Sequence, residues 1–540
     1  MTTRTYPVQF KNPPAPQQAD IFDVVLSGEG NIVVQATAGA GKTTLLVGVA
    51  QLLKATAFPL DKMLFVAFNK AIVTELQEKL PAGVKACTMH SLGMQTLKEM
   101  IGDLKVENFK YSNIISDLLE DEGIVRRRHK DFKVISDSLK DLVNTIRISV
   151  FDYEDASKEE LLNLLEDTQE EYPKAHAGLI CNLAVTTLQK GIRLAERKGE
   201  IDFTDMLWLP WKLDLTPKTQ YEFVMVDEAQ DFSPLQRWLV LKAKRQGGRM
   251  CVVGDKFQSI YGFSGASPES MDLIRQAIDA EEYPLSVTWR CPRSHVELAQ
   301  AVIGAENIQA APNAKEGVVA EIGAQQFEGL VKEGDAILAR TNRPLISQAF
   351  ELIKAGRRAK IRGRDIGQGL IKAAQGIIKD YCARDFTVED FLSGLEDYRT
   401  NKADAVYRRS DLNEEQVAQR VAEINDRVEV LALIAENTRP TSPEMLAAGI
   451  ERLFDDSLGD FILLSTIHKA KGLEFGTVFL LEPEKMPAAF ASKTESGRQG
   501  ETCCLFVALT RAQNALYFVG GLPNVPALRN AMAKYDKTLN

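Results

Sequence analysis

The chain has 540 residues and a formal charge of −9 at pH 7, with a sequence pI near 5.4. The length exceeds one ordinary domain and points to roughly three to five at typical domain sizes, while the acidic balance excludes a globally basic nucleic-acid coat. No apolar run approaches the roughly 18 residues of a membrane span, and seven scattered cysteines without C-x-x-C or zinc spacing, behind no signal peptide, fit a reducing cytoplasm with neither iron–sulfur cluster nor structural zinc.

In chain order, Pro13-Pro14-Ala15-Pro16 marks an extended lead, and Asn31 to Gln35 reads as a short buried strand. It runs into Ala36-Thr37-Ala38-Gly39-Ala40-Gly41-Lys42-Thr43-Thr44, a phosphate loop with Ala36 where the general pattern has Gly. Gly39 and Gly41 let backbone N–H groups face phosphates, Lys42 reaches the β/γ-phosphates and Thr43 can hold Mg²⁺. The apolar run Leu45 to Leu53 supplies the helix whose N-terminus favours an anion. Further strands of a first α/β block are expected near Leu64, Val84, Phe223, Cys251 and Leu285.

From about 96 to 200 the chain turns helical and charged, with Ser157 and Glu160 spaced as a capping box and Gly199 as the stop after Ala177 to Lys198. The apolar strand Phe223 to Val226 ends in Asp227-Glu228-Ala229-Gln230-Asp231. Phosphoryl transfer to water needs one carboxylate to help hold Mg²⁺, a role for Asp227, and one to orient or deprotonate the water, a role for Glu228. An acidic helix start is the bland alternative for the acids taken alone. After a strand at Met250 to Val253 comes Gly254-Asp255-Lys256-Phe257-Gln258-Ser259-Ile260-Tyr261-Gly262-Phe263, which sets an amide suited to sensing a phosphate just before aromatics suited to stacking on bases.

A second α/β block has strands near Ile337, Lys360, Leu463, Val478 and Tyr517. It is interrupted from about 366 to 459 by helices, including a long one from Asp411 to Asn437 punctuated by Pro440. The basic runs Arg126-Arg127-Arg128-His129-Lys130 and Arg357 to Arg364 fit solvated faces or nucleic-acid contacts on charge alone, and the second alternates as a strand with one wet face. His129, His176 and His295 carry no pattern and read as surface residues.

These motifs, with several others in the same order, resemble superfamily 1 DNA helicases of the UvrD/Rep/PcrA type, in places closer to the F-box DNA helicase branch. Pro16-Gln17-Gln18 is similar to the adenine-reading glutamine motif, with Gln18 preferred, and the initial Ala36 is usual in that family. Phe65 to Lys70, which includes Phe68 and Asn69, and Thr88-Met89-His90-Ser91 resemble its DNA-contacting motifs. Ile201-Asp202-Phe203-Thr204-Asp205 resembles the segment that returns the chain to the first motor domain. Trp289-Arg290 looks like the aromatic–Arg pair, though Tyr is commoner there, and Ala339-Arg340-Thr341-Asn342 looks like the strand-end motif of the second motor. Thr466 to Phe475, containing His468 and Glu474, resembles THxxKGLEF, and Val507 to Ala512 contains Arg511.

The resemblance implies an α/β fold of two RecA-like P-loop motor domains with a helical insertion in each. The first motor would take 1–95 and 201–292 around an insertion at 96–200; the second would take 293–365 and 460–540 around a shortened insertion at 366–459. It implies an ATP hydrolase using Mg²⁺ on Thr43 and Asp227, with Lys42, Asp227, Glu228, Gln258, Arg290 and Arg511 as catalytic residues and Arg511 as arginine finger. Gln18, residues Ala38 to Thr44, Trp289, Arg290, Glu474 and Arg511 would bind nucleotide. Phe68, Asn69, Thr88, His90, Tyr261, Phe263, Arg340, Thr341, Asn342 and His468 would contact single-stranded DNA, with Phe68, Tyr261 and Phe263 stacking on bases. Phe263 stands where Trp is common in the family. The implied activity is 3′ to 5′ movement on single strands and on tailed or forked duplexes, in replication, repair or recombination, by a cytoplasmic monomer in a bacterial or phage-infected cell. Two other readings use the same residues: a motor that strips proteins from single strands, and a low-turnover, ATP-gated DNA-binding recruitment module.

Overall fold

The computed structural model of the protein describes residues 4–10, 12–67, 69–125, 129, 131–168, 173–260, 269–383, 386–407, 414–454, 460–489 and 495–535. The chain divides into two compact units, Met1–Ala36 with Gly41–Leu285, and Thr37–Ala40 with Ser286–Asn540. Trp289 and Arg290 therefore fall in the second unit.

The strands of the first unit are β1 (Asn31–Ala36), β2 (Met63–Ala67), β3 (Lys85–Thr88), β4 (Lys105–Val106), β5 (Glu200–Ile201), β6 (Tyr221–Val226), β7 (Lys244–Gly254) and β8 (Ala280–Leu285). Six of them form a parallel sheet in the order β3-β2-β6-β7-β1-β8, and β4 pairs with β5 apart from it. The central strands are apolar almost without a break, as strands covered on both faces must be: Ile32, Val33 and Val34 of β1 and Val224, Met225 and Val226 of β6 are all buried. β7 is longer than the apolar stretch Met250 to Val253 suggests, because its first half is polar and exposed from Arg245 to Gly247.

The expected caps of the first insertion are present. The Ser157 N–H donates to Glu160 Oε2 at 2.7 Å and the Glu160 N–H to Ser157 Oγ at 3.2 Å. The helix Ala177–Lys198 ends at Gly199, whose φ of 67° is left-handed. Between this insertion and the sheet, Gly93 permits a close approach: a Cβ there would lie 1.8 Å from the Met206 carbonyl oxygen. The helix Met89–Ile101 thereby touches the backbone of the helix Asp205–Lys212.

The second unit contains β9 (Val287–Thr288), β10 (Gln309–Ala310), β11 (Val318–Ile322), β12 (Ala336–Ala339), β13 (Ala359–Ile361), β14 (Ile462–Thr466), β15 (Phe475–Leu481) and β16 (Ala512–Val519). Its parallel sheet has the order β11-β16-β15-β12-β14-β13. Five of these strands are expected from sequence; the sixth, β11, is an edge strand whose exposed Val318 and Glu321 interrupt its apolar pattern. The long helix spans Glu414–Thr438, with 408–413 outside the described residues.

His295 corrects the surface reading. It is buried, with Nδ1 3.2 Å from the Ala512 carbonyl oxygen and Nε2 3.2 Å from that of Val318, so the ring bridges backbone groups of β16 and β11. Of the basic runs, Arg126, Arg127, Arg128 and Lys130 lie outside the described residues. In the second, Arg358 pairs with Glu333 at 2.6 Å and Arg357 donates to the Val331 carbonyl, while Ile361 of β13 is buried.

Candidate active site and nucleic-acid contacts

Sheet order in the first unit sorts the motifs. β6, β7 and β1 are adjacent, so the acids after β6, the Asp255–Gln258 turn after β7 and the loop after β1 leave the sheet side by side at its carboxyl edge, the ligand-binding edge of open parallel sheets. The ends of β2 and β3, carrying Asn69 and Thr88, continue the row.

The loop after β1 has left-handed glycines, Gly39 at φ 71° and Gly41 at φ 84°, and Gly41 N-caps the helix Lys42–Ala55. Ala38 and Ala40 are buried, whereas Thr44 is exposed. Lys42 Nζ lies 3.1 Å from Glu228 Oε1, and Thr43 Oγ1 donates to Asp227 Oδ2 at 3.2 Å. A hydroxyl and a carboxylate oxygen converging from beyond the ends of β1 and β6, with β7 between them, fit a small oxygen-seeking cation that keeps most of its waters. Burial by itself would lower the Lys42 ammonium, but Glu228, Asp255 and Asp227 hold it above its ordinary value. Burial, reinforced by the Glu228 charge, raises the Asp227 carboxyl.

Glu228 has φ 53° and ψ 41°, a left-handed conformation that is costly for a side chain with a Cβ and is typical of strained functional turns. A buried relay fixes it there. Gln230, with no exposed surface, donates from Nε2 to Glu228 Oε2 at 2.6 Å and accepts at Oε1 from the Asp255 N–H at 3.0 Å. Asp255, equally buried, accepts from Gln258 Nε2 at 2.6 Å and from the Phe257 N–H at 3.0 Å. Lys42, Glu228, Gln230, Asp255 and Gln258 thus form one hydrogen-bonded chain. Neither Gln230 nor Asp255 stands out in the sequence. Both lie inside recognisable motifs, but only the pairing of β6 with β7 shows that they face one another. Gln18 accepts from the Ala15 N–H at 3.1 Å, and its Nε2 would lie 3.6 Å from a Cβ on Gly41.

In the second unit the Trp289 N–H donates to the Gly39 carbonyl at 2.9 Å, and a Cβ on Gly39 would lie 2.5 Å from Arg290 Cβ. Trp289 is 53% exposed, unusual for a tryptophan. Arg290 forms an ion pair with Glu474, which also accepts from Gln513 Nε2 at 2.7 Å. Arg511 is buried. Its Nε donates to the Val507 carbonyl at 2.9 Å, Nη1 to the Leu473 carbonyl at 3.1 Å and Nη2 to Thr510 Oγ1 at 3.0 Å.

Several candidate DNA contacts also have local structural duties. Asn69 Oδ1 accepts from the Ile72 N–H at 2.9 Å and Thr88 Oγ1 from the Ser91 N–H at 3.2 Å, so each caps the helix that follows it. Phe68, Tyr261 and Phe263 lie outside the described residues. His90 stacks on Phe203, with ring centroids 4.0 Å apart, and burial lowers its pKa. Phe203 is itself 57% exposed, which makes it a base-stacking candidate absent from the sequence-derived set. Its position between Asp202 and Asp205 was the available signal.

The ends of the adjacent strands β12 and β14 bring Arg340 and His468 together in the second unit. Arg340 Nη2 lies 2.7 Å from the buried Glu501, whose other oxygen accepts from the Ala488 N–H at 2.8 Å. Burial, with the charges of Arg340 and Lys471, lowers His468 to about 3 and keeps it neutral. Thr341 N-caps the helix Asn342–Lys354 without a side-chain bond, while Asn342 Nδ2 donates to Asp426 Oδ2 at 3.3 Å.

Residues 17–279 match the UvrD/REP helicase N-terminal domain and residues 331–520 the UvrD-like helicase C-terminal domain. The chain is 23% identical to the ATP-dependent DNA helicase PcrA of Staphylococcus epidermidis, over 92% of its own length and 82% of that protein. It is 25% identical to F-box DNA helicase protein 1 of Schizosaccharomyces pombe, over 96% of its own length and 59% of that protein. With RecBCD enzyme subunit RecB of Mycobacterium tuberculosis it shares 28% identity over 50% of its length and 29% of that protein.

Proposed function

The chain belongs to the UvrD-like ATP-dependent DNA helicases, and we propose that it moves along single-stranded DNA in the 3′ to 5′ sense and separates tailed or forked duplexes. The observation that carries the motor reading is the bonded chain from Lys42 through Glu228, Gln230 and Asp255 to Gln258. A module that only gated DNA binding would have no use for a strained, buried-relay carboxylate beside a phosphate-loop lysine.

In this reading Lys42 holds the β/γ-phosphates of ATP, Thr43 and Asp227 would hold Mg²⁺, and Glu228 takes a proton from the water whose oxygen bonds to the γ-phosphorus as the bond to the bridging oxygen breaks and ADP leaves. The metal, when bound, neutralises charge on the phosphates. Gln258 turns from Asp255 towards the γ-phosphate, and its release from that carboxylate is felt at Glu228 through Gln230. Trp289 stacks on the adenine, and Arg290 and Arg511 supply cationic charge to the transition state; each must first leave its present partners. His90 with Phe203, and Arg340 with His468, hold the strand.

The test pairs ATP hydrolysis with and without oligothymidylate against unwinding of duplexes carrying a 3′ or a 5′ tail. Strong stimulation and exclusive use of the 3′ tail are expected. Use of the 5′ tail alone would overturn the polarity, and hydrolysis indifferent to DNA would overturn the motor.

A further inference from the structure

Among the described residues Phe109 is the most exposed large apolar side chain, at 71%. It is also firmly placed. Phe109 follows β4, whose register with β5 pairs Lys105 with Glu200 and Val106 with Ile201; the Glu107 N–H then donates to the Ile201 carbonyl at 2.7 Å. The two chains therefore leave β4 and β5 side by side in the same direction, one towards Phe109 and the other towards Phe203.

The same buried ionic cluster fixes both exits. Lys110, next to Phe109, has no exposed side-chain surface, and its Nζ lies 2.6 Å from Asp205 Oδ2. The Tyr111 hydroxyl donates to Asp205 Oδ1 at 2.8 Å. Arg147, from the helix Phe132–Ile148 of the insertion, donates from Nη1 to Asp202 Oδ2 at 2.9 Å and from Nη2 to Asp205 Oδ1 at 3.0 Å, with its guanidinium 4.0 Å over the Tyr111 ring. Asp202 and Asp205 in turn bond each other's backbone N–H groups, at 2.8 and 3.1 Å, in the turn that carries Phe203. Removing one partner from such a buried cluster is strongly destabilising, so the backbone beside Phe109 and around Phe203 is held in place. The geometry it sets is two aromatic rings held out of the core on rigid backbone.

We infer that Phe109 is a second base-stacking platform, carried by the first helical insertion, which extends the single-strand contact of Phe203 and His90 away from the sheet. The inference rests on the reading of His90 and Phe203 as strand contacts. Stacking suits the residue because every base has a π-face, so one exposed ring serves any sequence. It also adds grip without positive charge, in keeping with a chain of net charge −9.

The experiment uses the full chain and oligothymidylates of increasing length, reading the half-saturating DNA concentration and the saturated rate of ATP hydrolysis. Phe109→Ala should raise the half-saturating concentration about tenfold, the effect of one lost stack, for oligonucleotides long enough to reach the insertion. It should leave the saturated rate and the shortest active oligonucleotides unchanged, and Phe109→Trp should restore tight binding. An unchanged half-saturating concentration at every length, with Phe203→Ala impaired, would overturn the inference while sparing the Phe203 reading. A Phe109→Ala variant that changes sedimentation but not DNA binding would assign the ring to a protein contact and overturn it equally. Hydrolysis by the parent chain that ignores DNA would overturn the proposed function itself.

Discussion

Replacing Gln230 by Leu tests whether the buried relay carries catalysis as well as stability. The substitution keeps side-chain volume close to the original while removing both polar atoms. Glu228 loses a 2.6 Å charge-assisted bond, and the Asp255 N–H, bonded at 3.0 Å, is left with no side-chain acceptor in a fully buried position. A bond to a charged group contributes about 1.5–3 kcal/mol and an unsatisfied buried donor costs about 1–3 kcal/mol. Partial relaxation makes about 3–4 kcal/mol the expected loss for the first unit. Thermal or denaturant unfolding should show that loss as a shift of one transition, since the two units need not unfold together. Catalysis should suffer separately. Glu228 keeps Lys42 but loses the donor that sets its rotamer, and a general base contributes about 10²–10⁴ in rate, so a saturated DNA-stimulated rate lower by about 10²-fold is expected. Nucleotide affinity, followed with a fluorescent ADP analogue, should change little because the phosphate loop is untouched. Full turnover in a correctly folded Gln230→Leu variant would refute the relay as a catalytic element, even if stability fell as calculated.

Arg511→Ala should spare ATP binding but lower DNA-stimulated turnover by about 10³-fold or more, and it should also destabilise the second unit, because three donors to Val507, Leu473 and Thr510 disappear; normal turnover would remove Arg511 from the mechanism. Burial and Glu228 raise the Asp227 pKa, and only the deprotonated carboxylate binds metal, so the apparent Mg²⁺ affinity should fall by up to about tenfold per unit as pH drops below that raised value. A Mg²⁺ titration of hydrolysis at several pH values reads this, and Asp227→Asn should flatten it; a pH-independent affinity in the parent chain would contradict the assignment. Gly93→Ala places a Cβ against the Met206 carbonyl and should cost about 3 kcal/mol or more, with single-strand affinity falling as His90 and Phe203 separate; an unchanged melting temperature would show that the two helices can part without cost.

The residues that sequence makes legible here are those whose chemistry depends on a local pattern. The phosphate loop can be read because strand, glycines, Lys42 and helix follow one another within one short stretch. The helix Ala177–Lys198 can be read because its stop signal, Gly199, is local too. Gln230 and Asp255 are as central to the site yet illegible, since their partnership arises only when β6 and β7 lie side by side, with Val226 opposite Val252. Phe203 is hidden for a related reason. An aromatic between two aspartates reads as part of a turn, and the turn that carries it is held by Lys110 and Arg147 reaching in from helices that begin 93 and 71 residues before Phe203 in the chain. His295 is illegible too, because a lone histidine gives no sign that β11 and β16 will each offer it a carbonyl.

The same distinction bears on how a motor of this kind couples its two ligands. The residues proposed to touch ATP sit in local motifs, and so do Thr88 and His90, proposed to touch the strand, at and just beyond the end of β3. What connects the elements after these strands is non-local and buried: Gln230 with Asp255 between the ends of β6 and β7, and Gly93 with Met206 between the helices that follow β3 and β5. Buried contacts of this sort do not deform gradually, because close-packed interiors resist sub-ångström adjustment and tend to switch between discrete arrangements. If nucleotide state reaches the strand through these contacts, softening either one should uncouple hydrolysis from movement before it abolishes either activity. Gln230→Asn, which shortens the relay without removing its polarity, should therefore hydrolyse more ATP per base pair unwound than the parent chain, and an unchanged ratio would place the coupling elsewhere.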